Sequence, residues 1–530
     1  MHISNNYKVS LVILVFLLLP TSMLQSQERI NSPYDEYYRY LMLQGQSENP
    51  SILWHSRSNN RWETPEDAGS HPWGDRLTRK EIPLGEESKL VFTDPELYLS
   101  ANSAWAQGYN DGAIWQGKGL NGRLRAGISF ESPMWLLTFD PEIWFAQNLE
   151  FDIVPPSSSQ SDPYGYWKDE LDYPQRLGNS FITQFSLGQT DLRFRYGVFT
   201  AGVSSENIVL GPARFNPVIL SANAEGFPHF DIGITKWDTR IGSFEGRYLF
   251  GFLEESENYN TNPDDDWRLM TGLTGAYSPS FIPGFTFGIN WTVLTPGGDF
   301  AFKNWFIPFL TLTPWHEGNT VNDDDQRLSF TLDWTFPKAG FSIYGEYGRE
   351  DYAPGQYDFT AIEHTGFWVL GISQALPINT IRGFMVSAEI ASLAVSRTQN
   401  LIFSTESIRN YYTHHRVLHG YTNGGQILGA GMGPGSDAQI IKIDYYDTWG
   451  KANLIFQRRS IDKMYVYSDP VGNDLYNLNV EFLFGGGALF FAGKWDIETS
   501  LAATYKWNHN FIPHNLKWNV FAAVETRYRY

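Results

Sequence analysis

Between Arg327 and Glu350 the chain alternates with a two-residue period. Leu328, Phe330, Leu332, Trp334 and Phe336 interleave with Arg327, Ser329, Thr331, Asp333 and Thr335. That period puts alternate side chains on opposite faces of a strand. Pro337 and Lys338 break the run, and Phe341, Ile343, Gly345 and Tyr347 resume it. The pattern predicts a hairpin with one apolar and one polar face. From Trp495 to Trp507 the same alternation runs longer: Trp495, Ile497, Thr499, Leu501, Ala503, Tyr505 and Trp507 share one face, against Asp496, Glu498, Ser500, Ala502, Thr504 and Lys506. Aromatics at both ends of an apolar face, with smaller residues between, suit a strand crossing a bilayer, which takes about 9–11 residues.

The pattern recurs from Lys89 to the C-terminus and predicts 18 strands. They are Leu90–Leu99, Gly122–Phe130, Met134–Asn148, Gly178–Gly188, Asp191–Gly202 and Pro228–Asp238. Next come Ser243–Glu254, Trp267–Ser278, Gly284–Thr295, Arg327–Phe336, Ala339–Glu350 and Gly366–Leu376. The last six are Arg382–Val395, Ala438–Thr448, Lys451–Ile461, Asp474–Gly485, Lys494–Trp507 and Leu516–Tyr530. Short and long links alternate between them, as an up-and-down barrel requires. The apolar run Asn304–Trp315 is assigned to a loop, because a strand there breaks the alternation and Pro308 would remove a ladder donor. Ala522, Val524, Thr526, Tyr528 and Tyr530 share a face of the last strand, ending on an aromatic. An even strand number leaves both ends of the barrel on the periplasmic side, with the long loops outward.

Composition agrees with a barrel. The 530 residues are 18% charged and 16% aromatic, with 48 Gly. The mean hydropathy is −0.32, and no stretch after the N-terminus is long and apolar enough for a membrane helix. Lys8 followed by Leu11–Leu19 and Pro20 reads as a secretory signal spanning residues 1–26. Residues 27–88 are expected to form a small periplasmic segment, and residues 89–530 the barrel. The segment starts with a helix capped by Asn31 or Ser32, with Pro33 at its first position and Asp35 and Glu36 in its first turn. A net charge of −19 argues against nucleic acid. With no cysteine there is no disulfide, no thiolate metal site and no acylated N-terminus. The expected location is the bacterial outer membrane.

Three long loops carry unusual sequence. The first holds Asn110-Asp111-Gly112 and Trp115-Gln116-Gly117-Lys118-Gly119. The second holds Gly211-Pro212, Asn216-Pro217 and Ser221–His229. The third holds Tyr421–Gln426, followed by Gly429, Gly431, Gly433, Pro434 and Asp437. In this order, from about Asn102 to the C-terminus, these stretches resemble the Wzi family of capsule-assembly proteins. The resemblance implies an outer-membrane barrel that holds exported capsular polysaccharide at the cell surface as a lectin. Enterobacterial members carry a periplasmic helical bundle, and here only the helix from Pro33 to Gln44 is legible.

The loop residues read alike from their chemistry. Trp105, Tyr109, Trp115, Tyr421 and Phe227 are candidates for aromatic faces against sugar C–H surfaces. Asn110, Asp111, Gln116, Asn223, Asn423 and Gln426 are candidates for hydroxyl partners, and Arg409 and Arg416 for acidic sugar carboxylates. The competing role is structural: Gly and Pro shape loops and Asn satisfies their backbone. For Trp115 and Gln116 both roles stay open. The acidic runs Asp264–Asp266 and Asp323–Asp325 read as solvated loop tips without EF-hand spacing. His414, His415 and His419 cluster without H-E-x-x-H, and G-x-S-x-G is absent. The expectation is therefore a non-enzymatic, monomeric barrel without cofactor or metal. Its partners are surface polysaccharide and membrane lipid, with an outer-membrane porin or specific transporter as the alternative.

Overall fold

The computed structural model describes residues 32–60, 62, 73–77, 81–156, 162–166, 171–260, 262, 266–299, 324–350, 363, 366–379, 382–394, 396, 411–414, 416–467 and 475–530. The expected signal sequence, the Asn304–Trp315 run, His415 and Arg409 lie outside them. Eighteen staves close into one antiparallel barrel. In chain order they are β1 (Lys89–Asn102), β2 (Gly119–Glu131), β3 (Trp135–Phe139 and Glu142–Ala146), β4 (Ile182–Ser186 and Asp191–Tyr196), β5 (Phe199–Ser204) and β6 (His229–Thr239). Then follow β7 (Gly242–Glu254), β8 (Trp267–Pro279), β9 (Phe285–Pro296), β10 (Asp325–Phe336), β11 (Phe341–Glu350) and β12 (Gly366–Pro377). The last are β13 (Gly383–Ser392), β14 (Asp437–Asp447), β15 (Gly450–Ile461), β16 (Asn479–Ala492), β17 (Trp495–Trp507) and β18 (Lys517–Tyr528). Closure comes from β18 on β1, with Phe521 opposite Asn102 and Arg527 opposite Glu96.

Two boundaries differ from those read in the sequence. The break expected between Gly188 and Asp191 is an interruption inside β4, where Gly188 bridges to Asp140 at the matching break in β3. The hairpin turn comes later, at Gly197-Val198, which joins β4 to β5. Likewise β16 does not end at Gly485. It runs through Gly485-Gly486-Gly487 to Ala492 and turns at Gly493-Lys494, where Gly493 takes φ +62° in open space. Glycines in that run leave the wall without side chains, which made it read as a turn.

The alternation in the sequence is the alternation in the wall. On β17, Trp495, Thr499, Leu501 and Trp507 are exposed, while Asp496, Ala502, Thr504 and Lys506 are buried toward the lumen. Leu332 and Trp334 on β10, Leu370 and Ile372 on β12, and Ile441 and Ile443 on β14 continue the exposed apolar belt. Lipid offers no partner to backbone N–H and C=O groups, so only a closed ladder or a helix can face it. This chain is an outer-membrane β-barrel.

Eighteen staves enclose a lumen too wide for wall side chains alone to fill. The stretch expected as a periplasmic segment supplies part of the filling. Its helix α1 (Pro33–Leu43) starts as read: the Ser32 hydroxyl accepts from the Asp35 N–H at 3.2 Å, with Pro33 in the first turn. The helix sits inside the wall at the tight-turn end. Tyr37 stacks on Trp73 at 4.0 Å, with Tyr446 5.1 Å away. Tyr34 donates to Asp496, and the Glu36 carboxylate lies between Lys442 and Lys451. Deeper in, Trp54–His55 pairs antiparallel with Val209–Leu210 of the loop after β5. The Glu245 carboxylate of β7 holds this piece by accepting from Ile52 N at 2.7 Å, Leu53 N at 3.0 Å, and Ser51 Oγ at 2.9 Å. Arg57 pairs with Asp140 and Ser58 N donates to Glu206 at 2.9 Å.

Topology and lipid contact are both testable. Because the chain has no cysteine, single cysteines report location. Glu150→Cys and Glu257→Cys, exposed in long loops, should react in intact cells with a bulky, membrane-impermeant maleimide. Lys338→Cys, exposed in a tight turn, should react only after the outer membrane is permeabilised, and the reverse pattern would invert the orientation. Leu501 is 61% exposed at the middle of β17. Leu501→Arg should destabilise the barrel by about 2–4 kcal/mol, and Ala502→Arg, facing the lumen, by much less. Heat-modifiable mobility against denaturant measures both, and equal effects would mean that β17 does not span.

Candidate functional site

The long-loop end of the barrel is capped. The loop 205–228 folds inward and is pinned to the wall by carboxylates, with Glu346 of β11 accepting from Val218 N at 3.2 Å. Glu389 of β13 accepts from Arg214 N at 2.9 Å, Asn216 N at 2.8 Å, Asn216 Nδ2 at 3.0 Å and Tyr344 OH at 2.9 Å. The segment 411–436 lies over it. Tyr412 OH donates to Val218 O at 2.9 Å and accepts from Ala430 N at 2.9 Å, while Ser221 N donates to Leu428 O at 2.9 Å. Together they bury an apolar core that includes Trp54, Leu220, Phe227, Tyr421 and Ile427. Arg268 Nη2 donates to Glu254 O at 2.9 Å and to Thr422 O at 3.1 Å, tying cap to wall.

A second set of contacts seats the loop 103–118 over the closing seam. Asn519 of β18 donates to Asn102 Oδ1 at 2.9 Å and to Gln107 Oε1 at 3.0 Å, and its own Oδ1 accepts from Ala104 N at 2.8 Å. Gln107 Nε2 donates to Thr504 Oγ1 at 2.8 Å. Gln116 turns inward, accepting from Ser100 Oγ at 2.6 Å and donating to Tyr98 OH at 2.9 Å. Its amide is committed to the seam.

Between these two assemblies a cleft of about 190 Å³ lies at the outer mouth. Its floor is charged. Tyr109 OH donates to Glu481 Oε1 at 2.7 Å, and Arg459 Nη2 meets Glu481 Oε2 at 3.1 Å. The Arg459 guanidinium lies 5.0 Å from the Tyr109 ring centre. Lys506 lies 3.7 Å from Glu481 and 4.3 Å from the Trp105 ring centre. Tyr166, Tyr173, Trp115, His509 and Phe511 rise around it. Burial pushes the Tyr173 phenol up from its ordinary value, so it stays a neutral donor. Burial, with Lys506 and Lys517 nearby, holds His509 down at about 4. The neutral ring stacks on Trp105, centroids 5.4 Å apart. Five buried polar atoms on the lining have no hydrogen-bond partner among the described residues: Trp105 Nε1, Trp115 Nε1, Arg459 Nε, Asn479 Oδ1 and His509 Nδ1.

Seven of the sequence candidates line this cleft: Trp105, Tyr109, Asp111, Trp115, Gln116, Asn223 and Gln426. Their roles are not all those expected. Trp105 is 3% exposed, held by His509 and Lys506, and offers no open face. Asn223 clamps loop to loop, donating to Ile427 O at 3.0 Å. Asn423 does the same, donating to Glu225 O at 3.2 Å and accepting from Glu254 N at 3.0 Å. Asn110 donates to Phe215 O at 3.0 Å and lies just below the cleft. Phe227 and Tyr421, expected as sugar faces, are 4% and 0% exposed in the cap core. They are hydrophobic anchors, and Tyr421 carries the Arg327 guanidinium 4.2 Å from its ring centre. Arg416 is exposed and does not line the cleft. His419 Nε2 donates to Glu255 at 2.8 Å, and burial beside Arg268 holds the ring down at about 3. Among the described residues no group of three or more metal-ligating side chains converges.

The sequence reading did not single out Arg459, Glu481, Asn479 or Lys506, which build the floor, nor Tyr166 and Tyr173. The aromatic run at Tyr164–Tyr166 was the available signal. The floor charges gave none, since every lumen-facing strand surface is charged.

No protein-family model and no curated protein matches this sequence. Among solved structures the fold is similar to Wzi of Escherichia coli, described as an outer membrane protein involved in group 1 capsule assembly and a carbohydrate-binding β-barrel. The TM-score is 0.59 at 11% identity, covering 95% of this chain and 99% of that one. Two outer-membrane barrels match more loosely. OccAB4 of Acinetobacter baumannii has 9% identity and a TM-score of 0.40 over 84% of this chain and 98% of that one. OccK2 of Pseudomonas aeruginosa has 8% identity and a TM-score of 0.40 over 83% and 97%. At these identities the likeness to Wzi is one of fold, and the two looser matches carry nothing further.

Proposed function

We propose that the outer cleft binds surface polysaccharide and that the barrel helps to hold this glycan at the cell. The observation that carries this is the set of unpartnered buried atoms. Trp105 Nε1, Trp115 Nε1 and Asn479 Oδ1 line one outward cleft without a partner among the described residues. Leaving such groups unsatisfied costs about 1–3 kcal/mol each, and a ligand rich in hydroxyls supplies both acceptors and donors. Trp115 and Tyr166 are half-buried in the same wall, which suits an amphipathic ring with one C–H face and polar edges. The cap is tied by backbone and amide hydrogen bonds, so the cleft is formed before a ligand arrives and little ordering entropy is lost on binding. The carbohydrate binding described for the Escherichia coli barrel of like fold supports the same reading.

Trp115→Ala should leave the amount of folded barrel unchanged while raising the shed fraction of cell-surface polysaccharide several-fold. Gln116→Ala should act differently: it removes two hydrogen bonds at the seam and should cost about 1–3 kcal/mol of stability, with retention falling only as folded barrel is lost. The measurement is cell-bound against released polysaccharide, with barrel abundance read from heat-modifiable mobility. A clean deletion that retains its polysaccharide as the wild type does would refute the anchoring role.

A further inference from the structure

Beneath the outer cleft lies a second cavity, of about 400 Å³, along the inner wall of β13 to β17. The two cavities share Gln107, Gly108, Tyr109, Asp111, Gly431 and Met432, which form a neck between them. The lower floor is helix α1, with Glu36 and Arg39 facing the chamber, and beneath it the aromatic layer of Tyr37, Trp73 and Tyr446 closes the tight-turn end. The chamber is therefore reached from outside and blocked toward the periplasm. Its size falls within the range of small-ligand sites, about 300–1,000 Å³.

One side chain in it is unusual. The backbone N–H of Arg214 is bound to Glu389, but among the described residues its guanidinium has no carboxylate within ion-pair distance. Its one side-chain hydrogen bond is Nη1 to the sulfur of Met385, at 3.7 Å. Several other lumenal arginines are matched by carboxylates: Arg193 to Asp231 at 2.7 Å, Arg527 to Glu96 at 2.7 Å, and Arg459 to Glu481 at 3.1 Å. A half-buried guanidinium whose five donors meet only a thioether, with the Tyr344 ring centre 6.0 Å from it, is a poor arrangement unless an anion completes it. Two acceptors in the same chamber are also unmatched. Asn110 Oδ1 is buried without a partner beside Phe215, and Asp444 Oδ2 is buried without one, although its Oδ1 meets Lys451 at 3.3 Å. Asp444 is the cross-strand neighbour of Met385, on which Arg214 rests.

We propose that this chamber binds a small sugar acid, its carboxylate on the Arg214 guanidinium and its hydroxyls on Asn110 Oδ1 and Asp444 Oδ2. The guanidinium fork fits a carboxylate or a phosphate alike. Glu36, Asp111 and Asp444 line the same chamber against Arg39, Lys442 and Arg214, so the lining is balanced and a monoanion upsets that balance less than a dianion. The two bare acceptors call for hydroxyl donors, which a simple fatty or amino carboxylate lacks. Recognition here is local, because a chain of net charge −19 does not gather anions by its overall field.

The test is calorimetric titration of the purified barrel in detergent with D-galacturonate, against D-galactose as the neutral control. Galacturonate should bind, galactose at least tenfold more weakly. Arg214→Gln should weaken galacturonate at least tenfold and leave heat-modifiable folding intact. Ser500→Phe, which fills the chamber from β17 without touching a charge, should weaken it as well. Trp115→Ala, in the outer cleft, should leave galacturonate affinity unchanged. The chamber site thus stands or falls apart from polysaccharide retention. Equal galacturonate affinity in wild type and Arg214→Gln, or loss of affinity in Trp115→Ala alone, would overturn the proposal.

Discussion

Everything in this molecule follows from the need to pair every backbone N–H and C=O inside a bilayer. The solution is closure: β18 returns to β1 and pairs from Phe521–Asn102 to Arg527–Glu96. A closed ladder fixes side-chain alternation, so one face must be apolar for lipid and the other must be resolved within the lumen. Closure also needs guarding where the ladder ends. Asn102, Gln107 and Asn519 bond across the seam between the last stave and the first, and the first outward loop is built on that joint. The cleft stands where it does because the chain's two ends meet beneath it.

The lumen poses the second problem. Eighteen staves leave a wide interior, and the sequence places charges on its walls. Water could solvate them, but here the chain itself occupies most of the space from both ends. Helix α1 and the strand Trp54–His55 enter from the tight-turn side, the loop 205–228 enters from the other, and they meet as a two-stranded sheet. Carboxylates of the wall do the fastening. Glu245 and Glu389 each accept several hydrogen bonds, including those from backbone N–H groups of an inserted segment, and Asp140 meets both Arg57 and Arg125. Removing one partner of such a buried set leaves an uncompensated charge and costs about 3–5 kcal/mol. Lumenal acids therefore act as sockets rather than as a solvated surface.

How much of this was legible depends on whether the signal is local. The staves were, because a two-residue period repeats within ten residues of sequence. The errors fell where glycine interrupts that period for reasons outside the strand. Gly188 is there because its backbone meets Asp140 of the neighbouring stave, and Gly485–Gly487 because β16 runs bare through the middle of the wall. In the cleft, residue type picked out Trp115 and Tyr109, which line it. It failed for Tyr421 and Phe227, since an aromatic in a loop looks alike whether it faces a sugar or plugs a core. Arg459, Glu481 and Lys506 come from three staves that only the topology brings together, and Arg214 stands out only by what it lacks.

That asymmetry of filling decides where a ligand can go. The segment around Trp54–His55 and the loop 205–228 lean on β6 to β13, where Glu245, Glu346 and Glu389 bind them, while helix α1 meets β14, β15 and β17 at the tight-turn end. The opposite wall, β14 to β17, faces the cleft above and the chamber below. There the staves carry Gly485, Gly486, Ser500 and Ala502 toward or beside the open space. Small residues on one wall and carboxylate sockets on the other are two parts of one arrangement. The sockets hold the plug to its side, and the small residues keep the remaining passage open as far as Tyr109 and Met432. A bulky substitution at Gly485, Gly486 or Ser500 removes that space without replacing a residue bonded to the plug, so occupancy of the lumen and stability of the barrel can be separated by where the change is made.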